Sequence, residues 1–498
     1  MRTSVACAFV VTILCSLPLH AESSPPDTRI DEILERLREQ EDELITQRAL
    51  IKQQNQRIDV LQAELDDMKK PDVFDTGEEL PSLLDTEVAV ARPEPGGRTA
   101  EAMVASTEAE QIAEQKALAD STIEESNEAQ EDDPTRAILE ALPGAMRLPG
   151  TNAVMSWGGF VKAAYVQSFD PLAITDRFIT GTIPTDDFVG VEEESDLTVS
   201  QSRMSFDLRE PTSVGLLRGY IEADFAEEND TFRLRHAFGQ RGDVLVGKTW
   251  SGFVDRTASP EEIDFEGLNG RINVRQAQVR FQPRIGRRFE MAVSLEDPAP
   301  RVTGGQGVSK IPDLVVSGRV NFGEDIHLRI AGLFRQVRGQ WDVIPSVTDE
   351  ELGWGLSVSG RFDAQRWDRR DKILFQINAG KGYGRYVNDL RSVGDFDGVF
   401  SPTGELELID VLSGYISGQH WWASTMRSTL TFGFVKLDSP KFVPDEFYKQ
   451  TFRASGNLIW SPTPRIDVGG ELLWGRRTTE DDSSGEALQF QMAMKYLF

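Results

Sequence analysis

Arginine recurs on one face of successive alternating segments. Arg203 and Arg209 flank Asp207, Arg218 precedes Glu222 and Asp224, and Arg233, Arg235, Arg271, Arg275 and Arg280 follow. Arg319, Arg329, Arg335, Arg361, Arg427 and Arg453 extend the series. A guanidinium presents a flat fork that matches two oxygens of a carboxylate or phosphate, so a ladder of them can take up a small anion and pass it on. The competing reading is that these arginines pair with Asp207, Glu222, Asp224 and Glu290 and only knit a wall. An even split between the two roles is expected.

A second chemical cluster lies between them. The connection from Ser251 to Leu268 carries Asp255, Glu261, Glu262, Asp264 and Glu266, interleaved with Phe253, Val254, Ile263, Phe265 and Leu268. A loop facing water rarely holds so many large apolar side chains. It is expected to fold inward as a constriction with its carboxylates toward the arginine rows; packing at a subunit interface is the alternative.

The elements that must position these groups read as strands. In the final run, Leu488, Phe490, Met492, Met494, Tyr496 and Phe498 share one face, while Gln489, Gln491 and Lys495 share the other. That period of two, bulky groups out and polar groups in, suits a membrane barrel strand. Sixteen strands are expected, near 156–168, 198–209, 213–226, 231–240, 244–250, 271–282, 287–297, 313–322, 325–337, 351–363, 371–383, 405–416, 421–436, 449–460, 464–476 and 487–498. Their connections alternate long and short, with 227–230 the exception. An even-stranded barrel with tight periplasmic turns and long outer loops requires this alternation, and a soluble sandwich does not. Trp157, Trp250, Trp421, Trp422, Trp460, Trp474, Tyr383 and Tyr496 fall at strand ends, where interfacial girdles sit. The fold class is therefore all-β, a sixteen-stranded antiparallel transmembrane barrel over 150–498, preceded by an α-helical coiled coil.

Upstream, residues 1–21 read as a secretory signal, with Arg2, the apolar stretch Val5–Leu17 and a cleavage site after Ala21. Cys7 and Cys15, the only cysteines, leave with it, so the mature chain forms no disulfide and no thiolate metal site. No cofactor is implied. Ile30, Leu37, Leu44, Ile51, Ile58 and Leu65 recur every seven residues, with Ile33, Gln40, Gln47, Gln54, Leu61 and Met68 at the second apolar position. Residues 27–70 thus read as a periplasmic coiled-coil stalk, trimer favoured over dimer. Residues 71–149, rich in Glu, Ala, Ser and Pro, read as a mostly disordered acidic linker. The formal charge of −28 argues against nucleic-acid binding.

The runs Arg203-Met204-Ser205-Phe206-Asp207-Leu208-Arg209-Glu210-Pro211-Thr212-Ser213, Phe232-Arg233-Leu234-Arg235-His236-Ala237-Phe238-Gly239-Gln240, Val246-Gly247-Lys248-Thr249-Trp250-Ser251 and Val274-Arg275-Gln276-Ala277-Gln278-Val279-Arg280 resemble the DcaP-like outer-membrane porins. So does the order signal, coiled coil, linker, barrel. The resemblance implies a trimeric barrel that takes up small anions, typically dicarboxylates, with the family's inward arginines at Arg203, Arg209, Arg233, Arg235, Arg275 and Arg280. The acidic linker is longer than the family leads one to expect. Two rival readings compete with this one. An enzyme would need a base beside a nucleophile, and His236, His327 and His420 stand on distant strands without an evident Ser partner. A structural tether, whose coiled coil grips peptidoglycan or a periplasmic partner, would have no use for an inward basic track.

Overall fold

The computed structural model describes residues 134–498, apart from 143, 186–192, 228–229, 287, 324–325 and 364–369. The expected signal peptide, the coiled coil and most of the linker lie outside the described residues.

Sixteen antiparallel strands form the wall. They are β1 Val154–Ser168, β2 in two pieces (Glu194–Thr198 and Arg203–Thr212), β3 Gly215–Asp224, β4 Arg233–Arg241, β5 Val244–Trp250, β6 Arg275–Phe281, β7 Phe289–Glu296 and β8 Asp313–Asn321. The second half comprises β9 His327–Trp341, β10 Thr348–Asp363, β11 Lys372–Lys381, β12 Asp410–Ala423, β13 Met426–Asp438, β14 Tyr448–Thr463, β15 Ile466–Thr479 and β16 Ser484–Leu497. Each strand pairs with the next. Closure comes from β16 on β1, where Leu497 faces Phe160 and Gln489 faces Ser168. No sheet edge is left to be satisfied in lipid.

The distribution of side chains is that of a soluble protein turned inside out. Val161, Ile221, Val279, Ile330, Ile416, Leu430 and Met492 are exposed on the outer wall. Ser357, Gln376, Asn378, Thr431, Arg453 and Gln491, on intervening positions, are buried within it. Exposed apolar wall and buried polar interior fit a hydrocarbon surround. No helix among the described residues is long and apolar enough to cross a membrane, which says nothing of strands.

Four expectations need correction. The twelfth strand runs from Asp410 to Ala423 rather than over 405–416, and its turn is at Ser424–Thr425. Gly418-Gln419-His420 looks like a turn in sequence, but Gln419 is polar because it faces the interior, where it is buried. Leu406–Leu408 belongs instead to a small sheet with Gly398–Phe400 and Val302–Thr303. The sixth strand starts only at Arg275, so Arg271 is a loop residue. Finally, Tyr383, Trp250 and Trp421 are buried rather than part of an outer girdle, whereas Trp157, Trp422, Trp460 and Tyr496 are exposed.

Near the N-terminal end of the described chain, helix α1 (Pro134–Ala141) buries Ile138 and packs with Leu142 and Val154. Met146–Arg147 then pairs with β1. The last part of the acidic linker is therefore ordered against the barrel by an apolar helix face.

Candidate functional site

The connection between β5 and β6 folds into the barrel. Its base is closed by the Ser251 amide on the Val274 carbonyl at 3.0 Å. From there Phe253, Ala258, Ile263, Leu268 and Ile272 are all buried. The near wall holds the entry: Glu296 accepts from the Gly252 amide at 2.7 Å, and the Arg329 guanidinium donates to the Gly252 carbonyl. The loop backbone then passes so close to β12 and β13 that a Cβ on Gly270 would sit 2.4 Å from the Gly414 carbonyl oxygen and 2.3 Å from that of Phe434. Only glycine fits there.

Asp255 docks on β9, the strand of Arg329, and on β10, whereas Glu261, Glu262 and Asp264 dock on the far wall. Asp255 accepts from His327 Nε2 at 2.9 Å and from Ser359 at 2.7 Å. Glu261 pairs with Arg427 at 2.5 Å, Glu262 with Arg453 at 2.6 Å, and Asp264 with the same Arg453 at 3.0 Å. In return Glu471 of β15 accepts from the amides of Ile263 and Asp264 at 2.6 and 2.8 Å. Burial would raise the Asp255 carboxyl, yet the hydrogen bond and charge of His327 hold it well below its ordinary value. Glu266 is different: it is half-buried and accepts from Ser392 at 2.6 Å.

Two further connections lean on this loop. Between β11 and β12, helix α2 (Asn388–Val393) lies against it, the Asn388 amide donating to the Arg271 carbonyl at 2.9 Å and the Asp389 amide to the Asn269 carbonyl at 3.1 Å. Between β1 and β2, the Phe178 amide donates to Asp264 at 3.0 Å and the Gly181 amide to Asp389 at 2.9 Å. Asp389 also accepts from Tyr448 at 2.6 Å and Thr451 at 2.9 Å. It is the node joining three connections to β14.

Beside this plug lies a cavity of about 520 Å³. Of the arginines singled out from sequence, Arg203, Arg233, Arg235, Arg271 and Arg275 line it, while Arg209, Arg218 and Arg280 do not. Arg209 and Arg218 converge on Asp207 at 3.0 and 2.7 Å. Arg280 donates to Gln278 at 2.9 Å. Within the lining, three strand arginines are carboxylate-paired: Arg203 with Glu222 at 3.4 Å, Arg233 with Asp224 at 2.8 Å, and Arg235 with Glu222 at 2.7 Å and Asp224 at 2.6 Å. Of the loop acids, Glu261, Glu262, Asp264 and Glu266 border the cavity and Asp255 does not.

Lys495, inward by alternation, lines it too, and sequence alternation missed five further cations there: Lys162, Arg177, Arg256, Arg301 and Arg391. Four of them come from loops, where no period marks the inward side. Arg271, Arg301 and Arg391 are distinctive. Their guanidinium groups donate to the backbone carbonyls of Glu266, Arg391 and Asn273 at 2.6, 2.8 and 3.2 Å, and no ion pair is seen for them among the described residues. Burial lowers the Arg391 guanidinium from its ordinary value, Arg301, Arg385 and Arg233 push the same way, and Glu266 opposes. Like charges crowded this way favour an anion between them.

A closed sixteen-stranded barrel with an apolar exterior, a polar interior and an infolded loop against the wall defines an outer-membrane porin. The DcaP outer membrane protein family matches residues 153–498, and the chain belongs to that family. The outer membrane channel DcaP of Acinetobacter baumannii has the same fold, with a TM-score of 0.63 at 21% identity over 71% of this chain and 100% of that one. An anion-selective porin from Comamonas acidovorans aligns with a TM-score of 0.46 at 10% identity, over 70% and 100% of the two chains. No curated protein sequence matches.

Proposed function

We propose that this porin lets small anionic solutes, dicarboxylates or similar carboxylic acids, diffuse passively through its arginine-lined interior. The carrying observation is the trio Arg271, Arg301 and Arg391, which bring three guanidinium groups to one cavity without a carboxylate partner among the described residues. The paired arginines, Arg203, Arg233 and Arg235, hold a second row whose charge is largely matched by Glu222 and Asp224. An entering carboxylate therefore meets its strongest forks on the loops, and the strand row supports a weaker second station. Passage needs each station to release as readily as it binds.

The test is the reversal potential of the reconstituted protein in a salt gradient across a planar bilayer. An anion preference that falls when Arg271, Arg301 and Arg391 are replaced together by Gln is expected. A wild-type channel that prefers cations overturns the reading. We further propose that residues 27–70 form a trimeric stalk in the periplasm; crosslinking of the chain with and without that segment reads its contribution to assembly.

A further inference from the structure

The cavity lining carries buried polar atoms that are not guanidinium-to-carboxylate chemistry at all. Nε2 and Oε1 of Gln201, Nε1 of Trp250 and Oδ1 of Asn273 have no hydrogen-bond partner among the described residues, and all three residues border the cavity. Gln201 is 1% exposed, Trp250 8% and Asn273 9%. Buried polar groups are ordinarily satisfied, so unpaired groups in a cavity wall are free to bond a solute.

Gln201 is placed there by the break in β2. The Ser202 amide turns back onto the Val199 carbonyl at 3.0 Å, which interrupts the ladder between Thr198 and Arg203 and re-aims the side chain between them. The Asn273 amide has a fixed orientation. Asn388 Nδ2 donates to the carbonyls of Glu266 and Leu268 at 2.9 and 3.2 Å, so its Oδ1 must accept from Asn273 Nδ2, at 2.5 Å. Asn273 Oδ1 is then the end left over, an acceptor.

The cations beside these amides can only donate, and a bare carboxylate can only accept. A carboxylate therefore cannot satisfy Gln201 Oε1 or Asn273 Oδ1, and none of the neighbouring cations reaches either oxygen among the described residues. A neutral hydroxyl or amide N–H on the solute would. An ammonium would also donate, but Lys162, Arg203 and Arg233 border the same cavity and repel it.

We propose that Gln201, together with Asn273, determines specificity by reading a neutral hydrogen-bond donor on the solute, so that the favoured class is hydroxy- or amido-carboxylic acids. This rests on the anion-channel reading and refines it. A site built to bond a hydroxyl disfavours the analogue that lacks one.

The probes are malate and succinate, equal in chain length and charge, applied to the full-length protein in a planar bilayer, with block of the ion current giving an affinity for each. Malate is expected to bind about five-fold more tightly, the worth of one net hydrogen bond. In Gln201→Leu the ratio of the two affinities should fall toward one. The ratio is internal to each protein, so a lower yield of folded channel does not alter it, and Gln201→Ser serves if the leucine variant forms no channel. Equal affinities in the wild type, or a preference for malate that survives in the variant, overturn the proposal. Cation preference in the wild type instead overturns the anion-channel reading itself.

Discussion

Arg427 grips Glu261 across 166 residues of chain, with Nε at 2.6 Å and Nη2 at 2.5 Å from the two carboxylate oxygens, and no part of Arg427 is exposed. One member stands on β13 and the other on the infolded loop. Removing Arg427 leaves Glu261 buried without its cation, at a cost of about 3–5 kcal/mol. Arg427→Gln should therefore release the loop from the far wall and raise single-channel conductance. The double variant Arg427→Gln/Glu261→Gln, which restores neutrality, should recover most of the narrow state. A conductance unchanged in the single variant would show that the loop is held elsewhere.

Arg233 and Arg235 share Asp224, and Arg235 also holds Glu222. Replacing both arginines by Ala does more than delete two cations, because it takes both from Asp224 and leaves Glu222 with Arg203. The reversal potential should move past neutrality toward cations, and the shift should shrink at high salt as screening rises. An unaltered reversal potential would mean that permeating ions do not sense this wall.

The loop should also respond to acid through Asp255. Its folded value lies below the ordinary 3.8, so the His327 contact stabilises the docked loop above that pH, and the stabilisation is lost as pH falls through the depressed value. Asp389 acts with the opposite sign: burial raises its carboxyl, so protonation does not penalise the node that it forms. Conductance recorded from neutral pH downward should rise only below about pH 4, the ordinary carboxylate range. Asp255→Asn should flatten that rise; an equal rise in the variant would assign it to another group.

Phe253 is fully buried and meets Tyr383 and Tyr386 edge-on, with ring centroids at 6.3 and 5.8 Å. Truncation to Ala should cost about 3–5 kcal/mol locally. Since the barrel ladder does not depend on this side chain, the loss should appear as faster hydrogen exchange over residues 251–274 and noisier current, with the strands still protected. Exchange that is unchanged over the loop would contradict this.

The wall was legible in the sequence because a strand between lipid and water has one simple rule. Leu488 to Phe498 obeys it, and so do the arginine-bearing strands. The inward fold of 251–274 was legible too, since Phe253 and Ile263 are too apolar for an outer loop. What could not be read was which arginines pair with the inward acids and which line the cavity. Arg209 and Arg218 look like pore arginines by alternation, but Asp207 lies between them in space. Arg301 and Arg391 lacked any signal, because they are brought in by loops whose course depends on contacts with Asp397 and Asn273. Gln201 has the parity of Arg203 within the expected strand 198–209, but nothing in the sequence marks the break that leaves its amide without a ladder neighbour.

The knot at Asp389 has a consequence for biogenesis. Gly181, Asn269, Asp389 and Tyr448 come from widely separated stretches, and the last of them arrives only with the fourteenth strand. The interior fittings must then be hung after nearly the whole cylinder stands, since contacts between remote segments form late. A newly inserted molecule should pass through a briefly unguarded, leaky stage, and the cell's tolerance of that stage bounds how slowly the final interlock can set.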